Sequence, residues 1–399
     1  MATLRLRRGH VQPVWTGHPW VYAQAVERLE GEATAGDLVQ VVDPTGNFLG
    51  AGFYSPASAI VVRILTRSPN VEMDRAWFQS RFERALAHRQ AFGLPNEATN
   101  GYRLVHAEGD GLPGLIIDRL GDALSVQFLT LGMKLRSELI VNTLVELLGP
   151  RVVVDRTPAQ VGALEGFSAT RAVLFGNDEQ PFRFSERALH YEVPFDIGQK
   201  TGFYFDQRAL RERVEQLAKG KRVLDVCSFI GPFAMAAARG GATEVVAVDE
   251  SPKALEVGAA CAALNGLGDK IEFVRRDARK MLDEVSAREG SGGGYDLVVL
   301  DPPRLSPTRA ARDKALTMYQ SYAAAGCQAT RDGGLLVFCS CSAAVDLQLL
   351  TRVLAQGAAR VGKDAVVLER VLQGADHPVP AAFPEGLYLK ALIVRVSKR

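Results

Sequence analysis

The stretch Arg222-Val223-Leu224-Asp225-Val226-Cys227-Ser228-Phe229-Ile230-Gly231 decides the fold. An apolar run of strand length ends on an acidic residue and passes through a turn of mostly small residues into a helical segment, 231–239. Downstream the texture repeats. Strands are predicted at Arg222–Val226, Glu244–Asp249, Lys270–Arg275, Tyr295–Leu300 and Leu335–Cys339, with helical patterns such as Pro252–Leu264 between them. Short strands separated by helices imply βαβ units and a mostly parallel sheet, an α/β domain. The closing run, 386–397, reads as an antiparallel edge added to that sheet.

Ligands of an open α/β sheet bind outside the carboxyl ends of its strands. The first such end lacks both G-x-G-x-x-G and the P-loop pattern, which weakens the dinucleotide and nucleotide-triphosphate readings. Its Asp225, Ser228 and Gly231 are candidate cofactor contacts. The second strand ends in Asp249, about twenty residues on, where a carboxylate can accept both hydroxyls of a ribose. The third is followed by Asp277, placed to accept from an adenine amino group. This ordered set points to an adenosine cofactor without a phosphate tail, S-adenosylmethionine. The fourth strand runs into Asp301-Pro302-Pro303, where the prolines hold the chain extended and Asp301 faces the reactive end. At the fifth, Cys339-Ser340-Cys341-Ser342 offers a thiol. Carbon 5 of a pyrimidine becomes nucleophilic only after a nucleophile adds to carbon 6, and a thiolate suits that role. Either cysteine of the pair could supply it. No histidine joins Cys227 at ligand spacing, so no metal is expected.

Upstream, the first seventy or so residues read as an all-β module, with β-rich runs Leu38–Val42 and Ile60–Leu65 broken by Asp43-Pro44-Thr45-Gly46 and Tyr54-Ser55-Pro56. Asp74 can cap a helix carrying Phe78, Phe82 and Leu86. Short strands near Leu104–His106, Leu115–Asp118, 124–129 and Val152–Asp155, with a helix at 135–148, make a small α+β module, and a hairpin-like stretch runs from Ala172 to Val193.

The 399 residues exceed one ordinary domain, and 47% apolar with 23% charged residues fits folded cores and argues against disorder. No run has the length of a membrane span, and the basic start has no apolar stretch behind it, so no secretory signal or membrane partner is expected. Five cysteines, all beyond residue 226, form no disulfide framework, which places the chain in a reducing cytoplasm. A net charge of +2 excludes a uniformly basic nucleic-acid binder but leaves local patches: Arg5, Arg7 and Arg8, and a second set with Arg304, Arg309, Arg312 and Lys314.

Several stretches belong together: His18-Pro19-Trp20-Val21, Tyr54-Ser55-Pro56-Ala57-Ser58, Ala107-Glu108-Gly109-Asp110-Gly111-Leu112-Pro113-Gly114, Lys200-Thr201-Gly202-Phe203-Tyr204-Phe205-Asp206-Gln207-Arg208, Asp301-Pro302-Pro303, and Asp376-His377-Pro378 with Pro384-Glu385-Gly386-Leu387-Tyr388-Leu389-Lys390. Their combination resembles the bacterial ribosomal RNA large-subunit methyltransferase I family, S-adenosylmethionine-dependent cytosine-C5 methyltransferases, over nearly the whole chain. The resemblance implies a multidomain chain. An N-terminal PUA-like RNA-binding barrel covers residues 1–72, a small central α+β domain 73–190, and a Rossmann-like methyltransferase domain 191–399. It further implies that Cys341, within Ser340-Cys341-Ser342, is the nucleophile and that Asp301 is its catalytic partner, with Lys200, Thr201 and Phe203 at the cofactor. Arg5, Arg7, Arg8 and Arg304 would contact large-subunit ribosomal RNA. A homodimer stays open as a state of assembly. Two other functions compete: amino-nitrogen methylation of RNA or protein, which needs no thiol, and a non-catalytic RNA-binding ribosome-assembly factor.

Overall fold

The computed structural model describes residues 1–169, 171–177, 181–197, 202–287, 294–303, 305 and 312–399. The chain divides into two compact units: residues 1–188, 193–205 and 375–386 form the first, and 189–192, 206–374 and 387–399 the second.

The first unit opens with the expected all-β module. Its strands are β1 (Thr3–Leu6), β2 (Trp20–Tyr22), β3 (Val26–Glu30), β4 (Leu38–Val42), β5 (Phe48–Tyr54) and β6 (Ile60–Thr66), with the short helix α1 (Gln12–Trp15) after β1. They order β2-β6-β5-β4-β1-β3, all antiparallel but for β1 beside β4. Inward-facing Leu4, Leu6, Val39, Val41, Val62 and Ile64 form its core. Helix α2 (Arg75–Gln90) follows, and Asp74 caps it as expected, accepting the Trp77 N–H at 2.9 Å.

Next come β7 (Gly101–His106), β8 (Leu115–Leu120), β9 (Ala123–Phe128), α3 (Leu131–Lys134), α4 (Ser137–Leu148), β10 (Val152–Asp155), α5 (Ala159–Glu165) and β11 (Ala172–Phe175). The sheet orders β11-β10-β9-β8-β7. Strand β11 pairs antiparallel with β10, so the stretch from Ala172 first completes this sheet, and the expected hairpin is confined to its later part, where the two strands after β11 form a two-stranded sheet. Strand β12 (Phe182–Glu186) precedes β13 (Leu189–Val193), over which the chain passes between the units.

The second unit is the expected α/β domain. Its elements are α6 (Arg208–Leu217), β14 (Arg222–Val226), α7 (Pro232–Arg239), β15 (Glu244–Asp249), α8 (Pro252–Leu264), β16 (Ile271–Arg275), α9 (Ala278–Ala287), β17 (Tyr295–Leu300), α10 (Arg312–Ala329), β18 (Thr330–Ser340), α11 (Leu347–Arg360), β19 (Lys363–Leu372) and β20 (Lys390–Lys398). Order β16-β15-β14-β17-β18-β20-β19 places the switch in winding direction between β14 and β17. The first five strands are parallel, and their buried faces, Leu224, Val226, Val248, Val298, Leu300 and Phe338 among them, read as continuous apolar runs. One expectation is corrected. The C-terminal run is no edge: β20 lies inside the sheet, antiparallel to both β18 and β19. Lys390–Val394 are buried throughout, whereas β19 alternates buried or half-buried with exposed residues, as an edge strand can.

Candidate active site

The switch point between β14 and β17 is where a crevice forms at the carboxyl ends of the strands. Within the second unit, the sequence-predicted residues Asp225, Ser228, Gly231, Asp249, Asp277, Asp301 and Cys341 all fall at those ends or on the turns leaving them.

The turn after β14 is held in an uncommon backbone. Cys227 has φ of +63° and Phe229 +56°, the left-handed region that L side chains rarely adopt, and Gly231 follows at +71°. A Cβ at Gly231 would come within 2.9 Å of the Phe273 ring, so only glycine satisfies both the dihedral and the close approach. Asp249 ties the turn down. Its Oδ2 accepts the Phe229 N–H and its Oδ1 the Ser251 N–H, each at 2.9 Å. Strained non-glycine residues persist only where their surroundings over-determine them, and such places cluster at ligand sites.

Asp225 is 1% exposed; its Oδ2 accepts the Ala234 N–H at 3.0 Å at the start of α7. Burial pushes its carboxyl up to about 8, and Asp301 and Asp249 push the same way. Among the described residues its Oδ1 and the buried Ser228 Oγ have no hydrogen-bond partner. Two orphaned polar atoms under a strained, glycine-dependent turn, beside the half-buried carboxylate of Asp249, fit a polar adenosine-bearing ligand such as S-adenosylmethionine. Asp277 has a structural task as well, accepting the Lys280 N–H at 2.8 Å.

At the reactive end, β17 and β18 are paired neighbours, with Leu300 beside Phe338. Asp301 accepts from Gln207 Nε2 at 2.6 Å. Cys339 is fully buried, and burial raises its thiol well above the usual range, with Asp301 adding to the effect. Cys341 is half-buried. The serines on either side of it share one anchor: Ser340 Oγ donates to the Tyr319 hydroxyl at 2.9 Å, and that hydroxyl lies 3.2 Å from Ser342 Oγ. Lys390 Nζ donates to the Ser342 carbonyl at 2.9 Å. Gln207 and Lys390 lie in stretches that carry the family resemblance, but neither they nor Tyr319 had a site role assigned from the sequence. For Lys390 a further signal is a lysine inside the apolar run Leu389-Lys390-Ala391-Leu392-Ile393-Val394.

Phe203 belongs to the first unit, where its ring packs 5.0 Å from those of Phe184 and Phe205. Lys200, Thr201, Arg304 and Arg309 lie outside the described residues. In the basic N-terminal cluster, Arg5 binds Glu30 at 2.7 Å and reaches the carbonyls of Asp43 and Pro44, while Arg7 and Arg8 are exposed.

A PUA-like domain family matches residues 4–67, and the S-adenosylmethionine-dependent methyltransferase family matches residues 168–393. Ribosomal RNA large subunit methyltransferase I of Yersinia pestis bv. Antiqua (strain Angola) is 36% identical over 397 residues, 98% of this chain and 99% of that protein. The same figures hold for the protein of that name from Yersinia pseudotuberculosis serotype O:3 (strain YPIII). Among solved structures, SMU.776, a methyltransferase complexed with SAH, superposes with a TM-score of 0.85 over 99% of this chain and 100% of its own, at 20% identity. A SAM-dependent methyltransferase from Streptococcus mutans gives 0.83 with the same coverages and identity. At that identity the likeness speaks to the fold.

Proposed function

The chain belongs to the ribosomal RNA large subunit methyltransferase I family of S-adenosylmethionine-dependent methyltransferases, and from that premise we propose that it methylates carbon 5 of a cytosine in large-subunit ribosomal RNA through a bond from Cys341 to carbon 6. The observation that carries this reading is the pair of thiols at the tip of β18: one sealed in the core, the other half-buried and clamped between two anchored serines beside the end of β17.

In this reading Asp249 holds the ribose hydroxyls and Asp277 the adenine amino group, while Asp225, Ser228 and Gly231 shape the turn. For Lys200, Thr201 and Phe203 a place at the cofactor rests on the family resemblance alone. S-adenosylmethionine supplies an electrophilic methyl group at its sulfonium. The target base must leave its stack to reach such a crevice. Cys341 adds as thiolate to C6, and the electron pair of the C5–C6 double bond shifts onto the ring as Asp301 hydrogen-bonds the N3/N4 edge. After C5 has gained the methyl, its proton leaves to a base, the double bond re-forms, and the thiolate departs. RNA capture falls to the N-terminal module, residues 1–72, through Arg5, Arg7 and Arg8, and to Arg304, which follows Asp301-Pro302-Pro303 in the sequence. Because Arg5 is already engaged by Glu30, and Arg7 Nε donates to the Val26 carbonyl at 2.8 Å, exposed Arg8 carries more of that task.

The test is methylation of large-subunit ribosomal RNA by purified variants, with the modified nucleoside identified by mass spectrometry. Cys341→Ser should lose 5-methylcytosine formation and Cys339→Ser should keep most of it. Full activity in the double variant, or a product methylated on an amino nitrogen, overturns the C5 reading.

A further inference from the structure

We propose that Lys390 is a positioning residue for the nucleophile: its ammonium, held behind the tip of β18, orients Cys341 and favours its thiolate. The inference rests on the reading of Cys341 as the attacking group and deepens it. Three independent features place Lys390 in that role. Antiparallel pairing sets Lys390 on β20 directly across from Ser340 on β18. Its Nζ reaches past that position to the carbonyl of Ser342, so the backbone pairing of Lys390 and its side-chain contact bracket Cys341. The side chain is 3% exposed, in a strand otherwise apolar at this end, which excludes a role as a solvating surface charge.

A lysine ammonium is costly to bury, and a position that needed only packing would favour a hydrophobe. What the charge offsets is visible around it. Asp301 at the end of β17 and Asp206 ahead of α6 bear on the neighbouring Cys339, and Asp301 bears on the Tyr319 hydroxyl from α10 that anchors the serines on either side of Cys341. Asp346, which caps α11, faces Lys390. Against that negative surround a thiolate would be disfavoured, and a nearby cation reverses the preference. Burial lowers the ammonium to about 8, with Asp346 and Cys341 opposing, so the positive charge is present at neutral pH and is lost above about pH 8. The proton released by the thiol goes to solvent and Lys390 stays protonated.

The experiment is the pH dependence of iodoacetamide alkylation at Cys341 in the full-length protein, followed by mass spectrometry of the Cys341 peptide without RNA. Lys390→Gln keeps a donor for the Ser342 carbonyl and removes the charge. The half-maximal pH of alkylation should rise by about one unit, a roughly tenfold slower reaction at pH 7. Lys390→Arg, which stays charged throughout, should restore the wild-type rate at pH 7. A folded Lys390→Gln protein with a wild-type profile overturns the proposal, as does failure of Lys390→Arg to restore the rate at pH 7. Should Lys390→Gln not fold, Lys390→Met, which buries no unpaired polar group, carries the same expectation. The profile is read without turnover, so it stands apart from the mutant methylation assay: an intact lysine effect beside an active Cys341→Ser enzyme would sink the nucleophile assignment alone.

Discussion

Replacing Asp249 by asparagine tests the cofactor-binding turn most closely. The carboxylate accepts two backbone N–H groups, those of Phe229 and Ser251, each at 2.9 Å. Asparagine retains one acceptor; its NH2 must then face the other N–H, donor against donor. A hydrogen bond to a charged group is worth about 1.5–3 kcal/mol, and half-exposure places this one near the lower end, about 1.5–2 kcal/mol. Holding a non-glycine residue in a sparsely populated conformation costs on the order of 1–3 kcal/mol, so the lost tie is comparable with the strain it restrains at Phe229. The turn should relax out of its binding shape. At 1.4 kcal/mol per tenfold, S-adenosylmethionine should bind about ten- to thirtyfold more weakly. Calorimetric titration of the full chain measures this, with thermal melting to confirm folding. Affinity within twofold of wild type in a folded Asp249→Asn protein would refute the reasoning.

In the first unit, Arg89 is 1% exposed; it donates to Asp110 through both terminal nitrogens, and to the carbonyls of Arg103 and Asp376 at 2.8 Å each. Arg89→Met strands a buried carboxylate and should cost about 3–5 kcal/mol in urea unfolding; a loss below 1 kcal/mol would contradict the network's role. Burial and the neighbouring His377 hold His106 well below its ordinary 6.5, so it is neutral in the fold. The unfolded chain then binds more protons below about pH 6.5, stability falls as pH drops through that value, and His106→Gln should flatten the fall in melts from pH 7.5 to 5. Asp225 has the opposite sign: its carboxyl is raised to about 8 from 3.8, so its contribution is full below 3.8 and lost as pH rises towards 8. Asp225→Asn should therefore gain stability relative to wild type over that interval; a difference independent of pH would show that the carboxyl is ionised throughout.

Much of the α/β unit was legible because parallel strands buried on both faces leave unbroken apolar runs, and β14, β15, β17 and α8 have the predicted bounds. The same runs hid β19, whose partly buried alternation carries Glu369 and Arg370 at its centre, and so β20 was taken for the edge. The acidic strand tips could be read as positions but not as tasks. Asp249 and Asp277 also hold backbone N–H groups, which no spacing rule distinguishes from ligand contacts. Pairings across long sequence separations left no local trace. Asp376, in the segment that interrupts the second unit, accepts the Arg103 N–H at 3.0 Å. The Tyr319 clamp on Ser340 and Ser342 joins a helix to a strand tip through hydroxyls that could equally have faced water. Burial, which separates Cys339 from Cys341, is a property of the packed sheet, so the residues alone left the two thiols equivalent.

The covalent step at Cys341 is open to one direct measurement: incubation with S-adenosylmethionine and large-subunit ribosomal RNA carrying 5-fluorocytosine, then mass spectrometry of the protein–RNA species. Fluorine at C5 cannot leave as a proton does, so the enzyme should be trapped with its RNA, and peptide mapping should place the bond on Cys341, with no adduct in Cys341→Ser. Normal methylation of unmodified RNA with no trapped species, or an adduct mapped to another residue, would contradict it.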